Sequence, residues 1–311
     1  MPRLVFHVSL KLLLVAGTAG FAAAALAQTA DSSVCRELEA KYDTTKRQLT
    51  SVEVNQMLFR ASDLGCERLA RRLLDDGASL KARDRLGAAP LSHAAREGRT
   101  NLVALYLDKG AAIDARNLVG ATALYFAADT ERPRVVALLL GKGADPNLAG
   151  RSGVTPLAAA AFKGNDRIVE QLLAGGADPK RVDETGKAAI TYAAARGFVD
   201  VVRRLLDAGV AADTRYGNEL TALMWAAGHD EGVGSRPAGA VIALLLDRGA
   251  AVDAADNRGR TALMMAAELG DAAVVELLLT RGADRTLRDR QGKTALDLTV
   301  NESVRAKLSV Q

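Results

Sequence analysis

Aromatic residues are scarce in this 311-residue sequence: they make up 4% of it, with a single tryptophan. Two cysteines and three histidines exclude a disulfide-dense domain and leave few ligands for a Cys/His metal cluster. Seven prolines are too few for a proline-rich disordered chain. The 41 basic and 37 acidic residues nearly balance, so the formal charge of +4 does not indicate a nucleic-acid-binding surface. A hydrophobic content of 49% is nevertheless sufficient for a core.

Residues 1–27 have the composition of a secretory signal peptide. Arg3 and Lys11 precede an apolar run that closes with Ala25-Leu26-Ala27, a small-residue cleavage pattern. The alternative is a membrane anchor, but only about 15 uncharged residues follow Lys11, whereas a spanning helix needs roughly 20. Cleavage removes two basic residues and no acidic one, so the formal charge of the mature chain falls from +4 to +2.

Both cysteines, Cys35 and Cys66, follow the predicted cleavage site and would enter an oxidising compartment. A disulfide bond between them is therefore predicted. Closing a loop of this length stabilises a chain by about 3–4 kcal/mol in the chain-entropy model. Lipid attachment at Cys35 is the alternative, but Ser32-Ser33-Val34 lacks the leucine and the small preceding residue that a lipoprotein signal requires.

The rest of the chain is organised by a repeat of 33 residues, interrupted once by a step of 40. One marker is a glycine after a leucine-rich run, at Gly77, Gly110, Gly143, Gly176, Gly209, Gly249 and Gly282. A second marker, usually threonine, has the same spacing, at Ala89, Thr122, Thr155, Ala188, Thr221, Thr261 and Thr294. Two independent series agree, so the period is a property of the whole array.

Each period predicts two helices joined by a turn. Thr155-Pro156 is typical of a first helix, because threonine caps the free amides and proline is tolerated at the first helical position. Paired alanines such as Ala160-Ala161 let a neighbouring helix approach closely, which explains the low aromatic content. A second, Val/Leu-rich helix follows, and the recurrent glycine ends it by adopting a left-handed conformation.

The motifs Gly153-Val154-Thr155-Pro156-Leu157 and Gly259-Arg260-Thr261-Ala262-Leu263 resemble the ankyrin repeat consensus. The resemblance covers residues 51–311 and implies an all-α ankyrin-repeat solenoid of helix-turn-helix units with β-hairpin-like fingers. The chain departs from the family at its usual histidine, which is replaced in every unit, and Glu219 stands where glycine is expected. The histidine departure affects the usual hydrogen bonds of that turn and leaves the expected fold unchanged.

The markers give the predicted domain boundaries. They are a signal peptide at 1–27, an N-terminal capping segment at 28–50, and repeats at 51–83, 84–116, 117–149, 150–182, 183–215, 216–255 and 256–288, with a truncated C-terminal cap at 289–311. Thr50 and Glu53 form a capping-box pattern at the start of the array. A helix over 32–43 would cover this end, with Cys35 bonded to Cys66 to hold it in place.

No catalytic set, metal site or cofactor site is predicted. Ser92 and His93 are adjacent on a helix and point about 100° apart, so they cannot form a nucleophile–base pair. His229-Asp230-Glu231 offers three metal-capable side chains without a fourth ligand at a recognisable spacing. The seven additional residues around 230–238 lengthen one turn, and either a functional loop or tolerated surface variation would explain them.

One slot of the first helix holds large side chains in several repeats. Its predicted partner-binding members are Phe126, Tyr192, Trp225 and Met265. In the resembled family this helix lines the concave face together with the fingers, so these groups would form a ridge of the type that anchors protein interfaces. Alternatively, they only fill space between neighbouring helices.

Residues near this ridge extend the predicted binding site. Leu118 and Val119 place apolar groups at a finger tip where other fingers are polar, which is typical of contact sites. Arg96, Lys163 and Arg196, at the ends of first helices, would give the same face a positive bias.

The sequence thus predicts a non-enzymatic, monomeric scaffold that binds an unidentified protein partner on its concave face. The signal peptide and the resemblance to compact exported ankyrin proteins, which look bacterial, place it in the cell envelope, in the periplasm or, alternatively, secreted. No nucleic-acid partner and no membrane span after cleavage are expected. Two other functions stay open: a metal-dependent enzyme using the His229 loop, and a binder of anionic envelope polymer through basic finger residues.

Overall fold

The computed structural model describes residues 33–228 and 238–309, which divide after Ala78 into two compact units. The predicted signal peptide at 1–27 and the His229-Asp230-Glu231 loop lie outside the described residues. All the regular secondary structure in the described ranges is helical, and the only extended pairings there are two isolated bridges, Val182 with Ala188 and Ala255 with Thr261. The expected all-α architecture is confirmed.

The first unit contains three helices: α1 over residues 33–45, α2 over Ser51–Leu64 and α3 over Glu67–Asp75. The predicted capping box starts α2, because the Thr50 side chain accepts the Glu53 N–H and the Glu53 carboxylate accepts the Thr50 N–H at 2.8 Å. This bonding satisfies two amides that no helical carbonyl reaches. The helix ends at Gly65, which takes the left-handed conformation.

Helix α1 has buried apolar side chains and is attached to α3 and its end residues by polar and covalent bonds. Leu38 and Tyr42 are buried, and the Tyr42 hydroxyl donates to the Asp76 carboxylate at 2.7 Å. Burial, with this hydrogen bond, raises the pKa of Tyr42 to about 12. Cys35 and Cys66 are joined by a disulfide bond, with their Cα atoms 5.3 Å apart. Contacts therefore fix α1 near both of its ends.

The second unit consists of stacked helix pairs, each packed against the next. The first helices are α4 (Pro90–Arg96), α6 (Ala123–Asp129), α8 (Pro156–Lys163), α10 (Ala189–Ala195), α12 (Ala222–Ala227), α14 (Ala262–Leu269) and α16 (Ala295–Leu298). The second helices are α5 (Thr100–Asp108), α7 (Pro133–Gly141), α9 (Asp166–Ala174), α11 (Val199–Asp207), α13 (Ala238–Asp247), α15 (Ala272–Thr280) and α17 (Glu302–Ser309).

The repeated residues act as their pattern predicts. The threonine of the marker slot caps its first helix wherever it occurs, for example through Thr155 Oγ1, which accepts the Ala158 N–H at 3.1 Å. The paired alanines of α4 to α14 are at most 1% exposed, so first helices pack closely along the stack. All the marker glycines after second helices have positive φ, which residues with a Cβ rarely adopt.

Turns between repeats form the fingers, whose first residue donates its N–H to the carbonyl four residues later. In most fingers the first residue is Asp or Asn, and its side chain also accepts hydrogen bonds from two backbone N–H groups of the same finger. Asp183, for instance, binds the N–H groups of Thr185 and Lys187 at 2.7 and 3.0 Å. Gly150 and Tyr216 cannot do this, and in their fingers Ser152 and Asn218 adopt left-handed conformations instead.

Neighbouring fingers are also bonded to one another through the backbone. The Leu118 N–H donates to the Leu86 carbonyl at 3.0 Å, and the Gly217 N–H donates to the Gly186 carbonyl at 2.9 Å. These bonds join fingers of adjacent repeats and fix the side chains that the fingers display. None of the described helices is both long and apolar enough to cross a membrane.

Candidate interaction surface

The structure places the predicted ridge residues on consecutive first helices, but they differ in exposure. Phe126, Tyr192 and Trp225 are half-buried, whereas Met265 is only 8% exposed and offers little surface to a partner. His93, which occupies the same slot in α4, is 8% exposed, and its Nε2 lies 3.1 Å from the carboxylate of Asp84. The ridge therefore presents large rings mainly on α6, α10 and α12.

Six residues form a continuous group that we call the aromatic–cation cluster: Phe162, Lys187, Tyr192, Arg196, Phe198 and Trp225. The rings of Phe162 and Tyr192 meet edge to face, with their centroids 5.9 Å apart. Arg196 lies over Phe162 and Phe198, with its guanidinium carbon 4.3 and 5.6 Å from the two ring centroids. Such contacts are attractive because the face of an aromatic ring is electron-rich.

Lys187 connects a finger to two first helices. Its Nζ atom lies 5.7 Å from the Tyr192 ring centroid and 4.9 Å from that of Trp225. The residue belongs to the finger that begins at Asp183, whereas Tyr192 is on α10 and Trp225 on α12. Finger and ridge thus form one surface at this place.

Tyr192 is held by a second bond to the same finger. Its hydroxyl donates to Oδ2 of Asp183, which is buried, while Oδ1 accepts the two finger amides. Burial by itself would raise the pKa of Asp183, but the hydrogen bonds from Tyr192, Thr185 and Lys187 outweigh it and hold that pKa below its ordinary value. Burial and the same bond raise the pKa of Tyr192. Asp183 is therefore an ionised anchor for the cluster.

The predicted apolar finger tip is exposed. Leu118 is 79% and Val119 48% exposed, and the neighbouring finger adds Leu86 at 65%. Leu86 and Leu118 are brought together by the backbone bond between their fingers. The apolar tip surface thus consists of Leu86, Leu118 and Val119, and is larger than the sequence indicated.

The three predicted cations have different environments. Arg96 bonds to the Glu97 carboxylate at 3.0 Å, and Lys163 lies 3.8 Å from the carboxylate of Asp129. Arg196 has no carboxylate within ion-pair distance among the residues that the structure describes. Of the three, Arg196 is therefore the cation whose charge is not already offset nearby.

Models of ankyrin repeats match the chain over most of its length: one, of three repeat copies, at residues 52–149 and 157–234, and another, of many copies, at 245–298. The chain belongs to the ankyrin repeat family. The crystal structure of the human ASB11 ankyrin repeat domain is similar, with 28% sequence identity and a TM-score of 0.64, over 71% of this chain and 96% of that one. No curated protein sequence matches the chain.

Ankyrin repeats indicate a protein–protein interaction scaffold. Within residues 33–228 and 238–309, no group of three or more His, Cys, Asp or Glu side chains is arranged to hold a metal ion. The proposed partner-binding residues of this ankyrin array stay a prediction. What the structure adds is which of them lie together.

Sequence analysis missed three members of the cluster: Phe162, Lys187 and Phe198. None of them lies in the ridge slot. Phe162 is in the last turn of α8, Lys187 is in a finger, and Phe198 precedes the first residue of α11. A signal was present, because Phe162 and Phe198 flank the Lys163 and Arg196 slots, and cations near aromatic residues often pair with them. The contacts of Phe162 with Tyr192 and of Lys187 with Trp225 cross repeat boundaries, so the pattern within a single repeat does not reveal them.

Replacement of Tyr192 by phenylalanine tests the anchoring bond of the ankyrin array. We expect the free energy of unfolding to fall by about 1–2 kcal/mol at neutral pH, because a buried carboxylate loses a hydrogen bond. Because the folded pKa of Asp183 is depressed, its contribution is present above the unfolded pKa, about 3.9, and is lost as pH falls through the folded pKa. The difference between wild type and Tyr192→Phe should therefore shrink in acid.

Urea unfolding followed by the emission of Trp225, the only tryptophan, measures both parts of this prediction. Tyr125→Phe is the matched control, since the Tyr125 hydroxyl makes no hydrogen bond to any described residue. An equal loss in both variants, or a loss that is the same at acidic and neutral pH, would contradict the anchoring role of Tyr192.

Proposed function

We propose that this protein is a non-enzymatic scaffold that holds a partner protein on the face formed by the first helices and the fingers, which is the concave face in ankyrin arrays. One observation carries the proposal: the aromatic–cation cluster joins partly exposed rings and cations from three repeats, one of which supplies Lys187 from its finger, in one fixed arrangement. Tyrosine, tryptophan and arginine are the side chains that contribute most to protein interfaces.

The rigidity of the fingers supports the proposal. Most of their turns are closed by Asp or Asn side chains, and neighbouring fingers are tied together by backbone bonds, so binding would order few residues. A pre-organised surface loses less conformational entropy on association. The exposed tip at Leu86, Leu118 and Val119 adds apolar area at one side of the face.

The proposed location is the bacterial cell envelope, with the periplasm preferred and secretion as the alternative. Two features support it: the signal-peptide pattern of residues 1–27, and two cysteines that are positioned to form a disulfide bond, which persists in oxidising compartments. The partner would then be another exported protein.

Crosslinking in the exporting compartment tests the proposal. The exported full-length protein is compared with a Trp225→Ala, Leu118→Asp double variant, which removes a ring of the cluster and places a charge at the tip. We expect a specific crosslinked protein with wild type and about a tenfold or greater loss with the variant, as for truncation of interface anchors. Arg203→Ala, on the exposed side of the second helix α11, is the matched control and should keep the crosslink.

Circular dichroism must show that each variant keeps its helices. A folded double variant that retains every crosslinked protein would remove these residues from the binding surface. Absence of any specific crosslink with wild-type protein in the exporting cell would contradict the scaffold function itself.

A further inference from the structure

We infer that the partner segment bound by the aromatic–cation cluster is acidic, and that its carboxylates pair with Lys187 and Arg196. The inference rests on the proposed function and specifies the chemistry of its partner. The second helices and the aromatic–cation cluster differ in whether their cations form ion pairs with nearby carboxylates.

On or just after the second helices, five cations are paired with acids of the preceding repeat, although others, such as Arg203 of α11, are not paired within the described residues. These pairs are Lys142 with Asp108, Arg204 with Asp166, Arg248 with Asp207, Arg281 with Asp247 and Lys307 with Glu276. In the cluster, by contrast, neither Lys187 nor Arg196 has a carboxylate within ion-pair distance anywhere in the described ranges. These five cations are therefore neutralised within the array, whereas no carboxylate in the described structure offsets the charges of Lys187 and Arg196.

Asp183, the buried acid of the same finger as Lys187, does not take this role, because both of its carboxylate oxygens are directed at other groups. Asp183 directs Oδ1 to the backbone amides of Thr185 and Lys187 and Oδ2 to the Tyr192 hydroxyl. Its side chain is buried against its own finger, and the Lys187 ammonium group extends instead over the rings of Tyr192 and Trp225. The positive charge of Lys187 is thus held in place without an anion.

Two donors in the cluster also lack acceptors. The Trp225 Nε1–H and the Arg196 Nε–H are shielded from solvent, and neither has a hydrogen-bond partner within the described part of the chain. An unsatisfied shielded donor is costly, and a charged acceptor satisfies it more strongly than a neutral one. The two unsatisfied donors are thus a second feature of the cluster, besides its two cations, that favours an anionic group on the partner.

The surroundings favour a short acidic protein segment over a long anionic polymer. Glu184 is exposed on the same finger as Lys187, and Asp129 lies beside Lys163 at the Phe162 edge. These acids would repel a uniform polyanion that extended beyond the cluster. The rings between the two cations instead match apolar side chains interspersed with carboxylates.

Peptide titration against the full-length chain tests the inference, with Trp225 emission and calorimetry as readouts. The probe is an octapeptide of alternating Glu and Leu with blocked termini, and the matched probe replaces each Glu by Gln. We expect saturable binding of the Glu peptide at least about tenfold tighter than that of the Gln peptide, as for hydrogen bonds to charged groups. Added salt should weaken binding of the Glu peptide but not that of the Gln peptide.

Variants assign the effect to the two cations. Lys187→Met and Arg196→Met should each raise the dissociation constant of the Glu peptide by about tenfold. Arg203→Met removes an exposed cation that likewise lacks a carboxylate in the described structure, and should change the constant by less than about twofold. Equal affinity for both peptides, no saturable binding, or unchanged affinity in the two cluster variants would overturn the inference.

Two further arms separate the possible failures. Tighter binding of inorganic polyphosphate than of the Glu peptide, lost in the same variants, would replace the acidic protein segment by an anionic polymer. Crosslinking in the exporting cell with a Lys187→Met, Arg196→Met double variant separates chemistry from scaffold function. If this variant crosslinks as strongly as wild type, the inference of an acidic partner is wrong while the proposed scaffold function stands. Loss of the crosslink supports both.

Discussion

Replacing Cys35 and Cys66 by serine is expected to lower the free energy of unfolding of the first unit by about 3–4 kcal/mol. The disulfide bond closes a loop of 31 residues between α1 and the start of α3, and its removal gives the unfolded segment more freedom. The ion pair of Arg72 with Asp43 is exposed and screened by solvent, so it contributes little to the attachment of α1.

Hydrogen exchange measured by mass spectrometry resolves this effect by segment. Amides of residues 33–78 should lose protection in the Cys35→Ser, Cys66→Ser variant, whereas those of the second unit should keep it. Arg72→Ala is the matched control and should reduce protection of the same segment only slightly. Two free thiols in denatured, unreduced exported protein, or unchanged exchange in the double variant, would contradict the stabilising role of this bond.

Gly217→Ala is expected to destabilise the second unit by about 3 kcal/mol, the upper end of the cost of forcing additional atoms into a packed site. A Cβ atom there would stand inside van der Waals contact of the Thr185 carbonyl oxygen and 3.3 Å from the Gly186 Cα atom. Both neighbours are backbone, so the two fingers would have to separate and strain the bond from the Gly217 N–H to the Gly186 carbonyl. Because Gly217 lacks a positive φ, this cost would come from crowding alone.

Gly141→Ala is the matched control for this variant. Gly141 ends α7 with ordinary helical φ, and a Cβ atom there would meet nothing within 4 Å. Alanine should stabilise that helix by up to about 1 kcal/mol, since glycine is the poorer helix former. Urea unfolding of both variants gives the comparison. A Gly217→Ala protein as stable as wild type would show that these fingers are not held in close contact.

Much of the fold could be predicted because each repeat is specified by local chemistry. Thr155 caps the helix that follows it, Gly176 ends the next helix, and Ala160 needs only to be small. The Thr50–Glu53 capping box was found in the same way, since its partners are three residues apart. Such interactions can be read from short stretches of sequence.

The interaction surface was predicted only in part. Tyr192 and Trp225 were found because they share a slot, but their slot did not reveal that Met265 is nearly covered. Leu118 was found as an apolar tip, whereas Leu86 beside it was not. Exposure depends on the neighbouring repeat as much as on the residue itself, so the pattern within one repeat could not separate these cases.

By itself the sequence determined the repeat period, the all-α architecture, the ankyrin resemblance and the places where large side chains are rare. These features follow from interactions between residues of the same repeat, such as helix caps and helix-ending glycines. The tertiary structure decided which side chains touch across repeats: Phe162 with Tyr192, Lys187 with Trp225, and the finger of Gly186 with that of Gly217. Partners about one repeat apart in sequence become neighbours only when the repeats stack. The scarce aromatic residues therefore gained their role from packing that no single repeat contains.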